Sequence, residues 1–396
     1  NIALAKSHIE VDLGISAAAY GLGAGLFFLS YALLEVPSNL IMHRVGARFW
    51  ITRIMVTWGL LSAGMAFITG ETSFYVMRVL LGAAEAGLFP GVMLYLTYWF
   101  GREERARAIG YFLLGVCIAN ILSGPVGGAL LQMDGFLGWH GWQWMFVIEG
   151  LPAVALAWVV WKKLPDGPAS APWLTAAESR EVLQRLQAEQ DQQASAGQVG
   201  HSLRDCLRDR QIWLAILVYF CHQITIYTVI FFLPGIIGTY GQLSPLQIGT
   251  LNSVPWIAAA IGAAWLPRFA THPQRCRRML LAGLGTMAAG LLLAALAGKA
   301  SPALGLLGFS LTALMFFVVQ SVVFLFPASR LAGAGLAGGI ALVNTCGLVG
   351  GFIGPTVMGM IEQATGSTRN GLFIMAGLLV VAALASTRLR QGQETR

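Results

Sequence analysis

Residues 74–110 have the sequence FYVMRVLLGAAEAGLFPGVMLYLTYWFGREERARAIG. Within the apolar run that we predict over 72–100, only Arg78 and Glu85 are charged. A helix needs about 20 predominantly apolar residues to cross a bilayer, so this run is long enough to span one. The charged sequence that follows, GREERARA, is typical of a loop at a membrane surface. The stretch therefore predicts a membrane-spanning helix with two ionisable side chains inside it.

The composition extends this prediction to the whole chain. Of the 396 residues, 56% are hydrophobic and 11% are charged, whereas soluble domains carry about 25% charged residues. The formal net charge of +7 does not indicate a nucleic-acid partner, because the positive residues lie in short loops on one side. The five cysteines lack the spacing of metal ligands, so neither a metal site nor a disulfide framework is predicted. We expect the lipid bilayer to be the main environment of this chain.

Apolar runs of sufficient length recur and predict eleven complete spans, five before a polar gap and six after it. The gap at 162–210 contains LQRLQAEQDQQASAGQ and is predicted to be an amphipathic or disordered cytoplasmic linker. The predicted spans are, in chain order, 17–42, 49–70, 72–100, 106–132, 143–161, 211–234, 246–267, 278–298, 302–327, 332–361 and 371–387.

Charge in the loops predicts the orientation. Twenty lysines and arginines fall on the side of the linker and the C-terminus, and only Lys6, Lys299 and Arg369 fall on the other side. The positive-inside rule assigns the basic side to the cytoplasm. We therefore expect a multi-pass protein of the bacterial inner membrane with a cytoplasmic C-terminus.

An internal repeat accounts for the uneven number of spans. Each half contains a basic loop in a corresponding place, and each contains a span with glycine and proline inside it, where a kink and a close helix contact are expected. Aligning the halves makes residues 1–6 the end of a first helix and predicts two bundles of six helices. The paired motifs are HRVGAR (43–48) with RFATHPQRCRR (268–278) and LSGPVGG (122–128) with VGGFIGP (349–355). The predicted domains are an N-terminal bundle (1–161), the linker (162–210) and a C-terminal bundle with tail (211–396).

Motifs along the whole chain resemble the anion:cation symporter family of the major facilitator superfamily. The resemblance implies an all-α membrane protein with the major facilitator fold. It also implies a proton-coupled symporter that imports a small organic carboxylate by alternating access. Sugar acids and hydroxy-dicarboxylates are favoured as substrates, and aromatic acids come next. Besides 74–110, the motifs are YALLEVPSNLIMHRVGARFWITRIMVTWG (31–59), GWQWMFVIEGLPA (141–153), IYTVIFFLP (226–234), SVPWIAAAIG (253–262), ALVNTCGLVGGFIGP (341–355) and ATGSTRNGLF (364–373).

Two features depart from the family pattern. Family members carry an acid and an arginine shortly before the Asn-Ile pair that stands here at Asn1 and Ile2, so we expect the first helix to be largely absent from these residues. His43 stands where the family has an acid before the arginine of its cytoplasmic motif, so the salt bridge of that motif is not expected.

Arg78 and Glu85 are the strongest candidates for function. An ionisable side chain inside a span costs about 2.5–3.5 kcal/mol on insertion scales, so each needs a reason to be there. Seven residues apart, they share one helix face about 10 Å apart along the axis, too far for a direct ion pair. We predict that Arg78 binds the substrate carboxylate and that Glu85 takes the coupled proton, as the resemblance also implies. The alternative is a static brace between helices.

Energetics favour a proton as the coupling ion. Moving one negative charge into a negative interior costs about 2.3 kcal/mol per 100 mV. Accumulating an anion therefore needs at least one proton per charge, and a membrane-embedded carboxylate such as Glu85 is able to carry it. No other cofactor is predicted, and sodium stays open as the coupling ion.

Further substrate contacts are predicted on the helices that line the cavity of this family. Compared with the vesicular glutamate transporters, His222 stands where they carry an arginine, and Tyr227 matches. A histidine there is able to donate to a carboxylate, or else it is a hydrogen-bonded core residue. Asn344 belongs to the ALVNTCG motif and offers amide donors. The remaining candidates are polar or amphipathic and are more often packing residues: Tyr31, Gln223, Trp256 and Gln320.

Four charged residues are predicted to act in gating or in bracing the bundle at the cytoplasmic side. They are Glu35, Arg44, Arg48 and Arg105.

Enzyme activity is not predicted, because the sequence contains no GxSxG, P-loop or HExxH motif and hence no catalytic residues. Two other functions stay open on the same fold. One is a drug or toxin exporter, and the other is a nutrient sensor that binds its ligand without transporting it. A monomer is the expected oligomeric state.

Overall fold

A computed structural model describes residues 2–195, 203–270, 272–331 and 333–390. These residues form sixteen α-helices and four short 3-10 helices, and none of them lies in a β-strand. The α-helices are α1 Ile2–Leu13, α2 Ala17–Val45, α3 Ala47–Gly64, α4 Glu71–Glu85, α5 Leu88–Thr97, α6 Arg102–Leu131, α7 Gly141–Lys163, α8 Ala176–Ser195, α9 Leu203–Arg208, α10 Arg210–Gly238, α11 Pro245–Trp265, α12 Pro273–Ala297, α13 Pro302–Leu314, α14 Phe316–Arg330, α15 Gly333–Thr365 and α16 Arg369–Ser386. The 3-10 helices are Met65–Phe67, Phe136–Gly138, Pro168–Ser170 and Pro267–Phe269.

Ten helical segments of the described residues are long and apolar enough to cross a membrane, and they coincide with ten of the eleven predicted spans. The exception is the predicted span 246–267, which is the 21-residue helix α11. Gln247, Asn252 and Ser253 make α11 less apolar than the other ten segments. The chain is therefore an all-α, multi-pass membrane protein, as its sequence predicts.

The first helix ends later than predicted. We expected it to end at residue 6, but α1 continues to Leu13. Gly14 then adopts a φ of +65°, a left-handed conformation that terminates helices and that glycine adopts without a Cβ clash.

Part of the polar linker is helical. Of the two alternatives, amphipathic or disordered, the helix α8 bears out the first for Ala176–Ser195. A capping box begins it, because the Thr175 N–H donates to Glu178 Oε2 (2.8 Å) and the Glu178 N–H donates to Thr175 Oγ1 (3.3 Å). The hydrogen bond from the Thr175 N–H also holds the pKa of Glu178 below its usual value. The predicted linker residues 196–202 lie outside the described residues.

The chain forms two compact units. The first unit comprises Asn1–Phe28, Cys117–Trp142 and Val199–Arg396, and the second unit comprises Leu29–Val116 and Gln143–Gln198. The predicted bundle boundaries at 161 and 211 stay a prediction.

Glycines bring the helices of the first unit into close contact. A Cβ on Gly354 of α15 would lie 2.5 Å from the Ile224 carbonyl oxygen of α10, and one on Gly124 of α6 would lie 2.2 Å from the Gly249 oxygen of α11. No side chain fits at such distances, so these positions require glycine. The close helix contacts predicted for LSGPVGG and VGGFIGP are confirmed, and each helix continues through its proline.

Candidate functional site

The predicted span 72–100 is broken in the middle, which corrects the continuous helix expected from the sequence. α4 ends at Glu85 and α5 begins at Leu88. Between them Gly87 has a φ of +89°, a conformation that favours glycine. The hydropathy of the segment stays high through the break, so the apolar pattern did not reveal it.

Side chains of the second unit hold this break in place. Ser38 Oγ donates to the Ala86 carbonyl oxygen at 2.7 Å. Trp50 Nε1 donates to the same Ser38 oxygen at 2.9 Å. A Cβ at Gly87 would lie 2.3 Å from Ser38 Oγ. The helix therefore ends where α2 supplies a hydrogen bond to a carbonyl that would otherwise lack an intrahelical partner.

Arg78 and Glu85 both belong to α4. Arg78 is 4% exposed although it carries a charge, and Glu85 is half-buried as the last residue of the helix. The charge of Arg78 attracts the Glu85 carboxylate. The carbonyl groups at the end of α4 act in the opposite sense, because a helix C-terminus disfavours a negative charge. The predicted shared face is thus confirmed for this helix, and its carboxylate lies directly at the break.

Arg48, predicted to act in gating, is held by the end of α7. Its backbone N–H donates to Asp166 Oδ1 at 2.9 Å, and its Nε donates to the Trp161 carbonyl oxygen. The guanidinium carbon also lies 4.8 Å from the centroid of the Trp161 ring. These contacts fix Arg48 against α7, so bracing within the second unit is the role that they support most directly.

The other second-unit candidates differ in exposure. Arg44 is exposed at the end of α2, whereas Tyr31 and Glu35 of the same helix are half-buried. Arg105 is half-buried in the first turn of α6. Their gating and substrate roles stay predictions.

In the first unit, α10 carries a polar stripe. Tyr219, Gln223 and Tyr227 are four residues apart and so lie on one helix face. A Cβ on Gly347 of α15 would lie 2.4 Å from the Tyr219 ring, and one on Gly351 would lie 2.8 Å from the Tyr227 ring. The glycines of α15 thus leave room for this polar stripe, which contains two of the predicted substrate contacts.

His222 is fully buried, and its Nε2 lies 3.0 Å from the Phe316 carbonyl oxygen, in position to donate. Phe316 begins α14, directly after the break that divides the predicted span 302–327 into α13 and α14. This hydrogen bond is the kind that a core histidine makes. A direct role for His222 in substrate binding stays a prediction.

Three further candidates are half-buried in the first unit: Trp256, Gln320 and Asn344. Gln320 Nε2 donates to the Tyr219 hydroxyl at 3.3 Å, which joins α14 to the polar stripe. The sequence interpretation missed Tyr219 and also Phe28, whose ring centroid lies 4.1 Å from that of Tyr227. The four-residue spacing from Gln223 was the available signal for Tyr219, but no sequence signal pointed to Phe28.

A family profile described as the Major Facilitator Superfamily matches residues 1–355. The chain belongs to the major facilitator superfamily. Membership of this family of transporters confirms the resemblance seen in the sequence motifs, the predicted fold class and the prediction that the chain is not an enzyme.

Relatives of this superfamily member carry different names. It is 41% identical over 387 residues, 98% of this chain and 88% of the other, to a protein of Agrobacterium vitis named "Putative tartrate transporter". It is 39% identical over 403 residues, 100% of this chain and 91% of the other, to the "Quinolone resistance transporter" of Acinetobacter baumannii. Among solved structures, a bacterial homologue of the human lysosomal transporter Spinster is similar with a TM-score of 0.75 at 16% identity, covering 98% of this chain and 91% of that one. That similarity supports the fold alone.

Proposed function

We propose that this chain is a proton-coupled symporter that imports a small organic carboxylate by alternating access. One observation carries the proposal: the helix α4 contains both the buried Arg78 and, at the helix break, Glu85. One residue supplies a positive charge for an anion, and the other supplies a group that exchanges a proton.

Arg78 is the proposed carboxylate-binding residue. A guanidinium has a planar fork of donors that matches both oxygens of a carboxylate, and removing it from water is costly unless an anion or acceptors replace the water. At 4% exposure, Arg78 is well suited to bind an anion that enters a membrane-embedded site.

Glu85 is the proposed proton carrier. Two neighbours act on it in opposite senses, because Arg78 favours the carboxylate and the carbonyl end of α4 favours the neutral acid. An anion bound at Arg78 would reduce the attraction that Arg78 exerts on Glu85. Substrate binding would therefore favour protonation of Glu85, which is the coupling that symport requires.

The broken spans support this position for the site. In transporters built from repeats, interrupted helices in corresponding positions of the two halves point to the binding site. The break between α4 and α5 and the break between α13 and α14 both fall in the fourth helix of a predicted six-helix half. Arg78 and Glu85 lie before the first of these breaks.

The chemistry of the polar stripe favours a hydroxylated acid. Tyr219, Gln223 and Tyr227, together with Asn344 and Gln320, offer hydroxyl and amide groups that are able to bond to substrate hydroxyls. The Agrobacterium vitis relative is named for tartrate, a dicarboxylate with two hydroxyl groups. Sugar acids and hydroxy-dicarboxylates are therefore the first substrates to test, and aromatic acids the next.

Location and assembly complete the proposal. The charge asymmetry of the loops supports a bacterial inner membrane protein with a cytoplasmic C-terminus. We propose a monomer, since each predicted bundle is part of the same chain.

Export of a drug is a second candidate function. The observation that favours it is the 39% identity to the Acinetobacter baumannii protein named for quinolone resistance. An exporter of this kind would move its substrate outward in exchange for protons. The direction of transport relative to the proton gradient distinguishes the two functions.

The test is transport in proteoliposomes that contain the full-length protein. Labelled tartrate, a sugar acid, an aromatic acid and a quinolone are supplied outside, with an inward proton gradient, with no gradient and with an outward gradient. Protein-free liposomes serve as the control for leakage.

Accumulation of one acid under the inward gradient alone supports proton symport and identifies the substrate class. Acid exchange that does not respond to any proton gradient overturns the proton coupling. Quinolone movement against the direction of the protons, with no uptake of any acid, favours the exporter.

A further inference from the structure

Five arginines line one cavity of the first unit. The cavity has a volume of about 540 Å³ and lies where α10 and α12 begin and where α14 and α16 end. The described residues that line it include no lysine, aspartate or glutamate. The arginines are Arg210, Arg277, Arg330, Arg388 and Arg390. This size is in the range of sites for small molecules and headgroups.

Among the described residues, Asp209 brings a carboxylate to the edge of this arginine cavity. Asp209 Oδ2 accepts a hydrogen bond from Arg330 Nε at 2.9 Å, and Asp209 Oδ1 accepts one from the Gln211 N–H at 2.8 Å. One oxygen of the Asp209 carboxylate therefore caps α10, and the other accepts from Arg330. Arg330 Nη1 is buried and has no hydrogen-bond partner among the described residues. This buried guanidinium nitrogen is left to donate to a ligand.

The cavity is held by specific contacts. The Gln211 side chain donates from Nε2 to the Arg388 carbonyl oxygen at 3.3 Å, and its Oε1 accepts from the Arg390 N–H at 2.8 Å. These two hydrogen bonds fix the backbone after α16 against the start of α10. Arg388 and Arg390 are therefore brought to the cavity by defined backbone geometry.

The chemistry of the lining favours phosphate. Arginine presents a rigid fork of donors that binds phosphate oxygens in pairs, and it is the preferred residue where several such contacts are needed. The loop charges assign this end of the first unit to the cytoplasm. Basic pockets between membrane helices on the cytoplasmic side bind the headgroups of anionic lipids.

We propose that the arginine cavity binds a phosphate-bearing anion. The source is either the headgroup of an anionic phospholipid of the inner leaflet or a soluble phosphate. The proposal does not depend on the proposed transport function, because none of the lining residues is a proposed contact for substrate or for the coupled proton.

The experiment uses the full chain purified in a neutral detergent. Binding of phosphatidylglycerol is measured by native mass spectrometry, with zwitterionic phosphatidylcholine for comparison. A second arm measures the shift in melting temperature caused by pyrophosphate. The cavity variant is R277Q/R388Q, and the matched control is R275Q/R278Q, which removes two exposed arginines that flank Arg277 but do not line the cavity.

We expect tighter binding of phosphatidylglycerol than of phosphatidylcholine. Each basic residue contributes about fivefold to the affinity, so the R277Q/R388Q variant should bind phosphatidylglycerol roughly 30-fold more weakly. The R275Q/R278Q control should retain the affinity of the unaltered protein. If pyrophosphate binds and phosphatidylglycerol does not, with the same dependence on the cavity pair, the soluble anion is the source and the proposal stands.

Equal weakening in both variants, or no binding of either probe, overturns the proposal. Melting temperatures without ligand report whether the cavity variant folds. If R277Q/R388Q does not fold, R277K/R388K is used instead, because it keeps the two positive charges but removes the paired donors of the guanidinium groups. This lysine variant should bind phosphatidylglycerol with intermediate affinity. Binding by this lysine variant as tight as by the unaltered protein would contradict the role given to the guanidiniums.

Discussion

The Lys6 ammonium lies 2.9 Å from the Glu362 carboxylate and joins α1 to α15 within the first unit. Lys6 is 4% exposed, and its Nζ also lies 3.0 Å from Glu10 Oε1. The rings of Tyr20 and Phe232 face the same ammonium, with centroids 5.4 and 5.3 Å away. One buried cation thus holds two carboxylates near each other, and they would repel if it were removed.

Replacing Lys6 with methionine should therefore destabilise the protein by about 1–3 kcal/mol, because it leaves two half-buried carboxylates without their cation. We expect a lower melting temperature in detergent for Lys6→Met. The control is Lys299→Met, since Lys299 is exposed on the same predicted side. The double variant K6M/E362Q should recover part of the loss. A K6M variant that melts like the control would contradict the stabilising role of the ion pairs.

Substitution of the proposed proton carrier should separate accumulation from exchange. Glu85→Gln removes the exchangeable proton but retains a similar shape at the break, so proton-driven accumulation should disappear while exchange of labelled for unlabelled acid persists. Uptake and counterflow in proteoliposomes measure the two processes. Glu71→Gln is the matched control, because Glu71 is the exposed first residue of the same helix. Loss of both activities in E85Q would indicate a structural role instead.

The break after α4 depends on a residue without a side chain. Gly87→Ala places a Cβ 2.3 Å from Ser38 Oγ at a φ of +89°, so it combines a clash with backbone strain. We expect a loss of about 1–3 kcal/mol and a severe loss of transport. Gly110→Ala is the control, since nothing lies within 4 Å of the added Cβ in the helix α6. Equal melting temperatures and uptake for the two variants would argue against a required break.

His8 should make stability depend on pH; it lies in α1, which is not among the ten helical segments long and apolar enough to cross a membrane. Burial lowers the pKa of His8 from its ordinary value of 6.5, although Asp12 and Asp134 raise it, and His140 lowers it further. Because the folded pKa lies below the unfolded one, the unfolded chain takes up this proton first as the pH falls. The contribution of His8 to stability is therefore present above about pH 6.5 and is lost as the pH falls through the folded pKa.

Melting temperatures measured from pH 7.5 to pH 5 provide the check. The decrease toward low pH should be smaller in His8→Asn than in the unaltered protein. It should be unchanged in His272→Asn, since His272 is an exposed histidine of another part of the first unit. An identical decrease in all three proteins would show that other groups cause it.

Much of the fold follows from the sequence, because the membrane imposes a simple rule. Hydropathy averaged over about 20 residues identifies a span, whatever the span packs against. Eleven spans were predicted in this way, and ten of them are helices long and apolar enough to cross a membrane. The eleventh, 246–267, is the helix α11, which its polar residues make less apolar. The choice of Arg78 and Glu85 as candidates also needed only the sequence, since charges inside apolar runs are conspicuous.

Contacts between distant residues were decided by the tertiary structure alone. At the break after Glu85, the Ser38 hydroxyl donates to the carbonyl oxygen of Ala86, which is 48 residues away along the chain. The ion pair of Lys6 with Glu362 and the hydrogen bond between His222 and Phe316 likewise join separate helices. Hydropathy predicts which residues are removed from water. A hydrogen bond or an ion pair depends instead on which groups the packed helices bring into contact. The sequence by itself therefore determined where the chain crosses the membrane, and the packing of the helices decided where they break and which charges are paired.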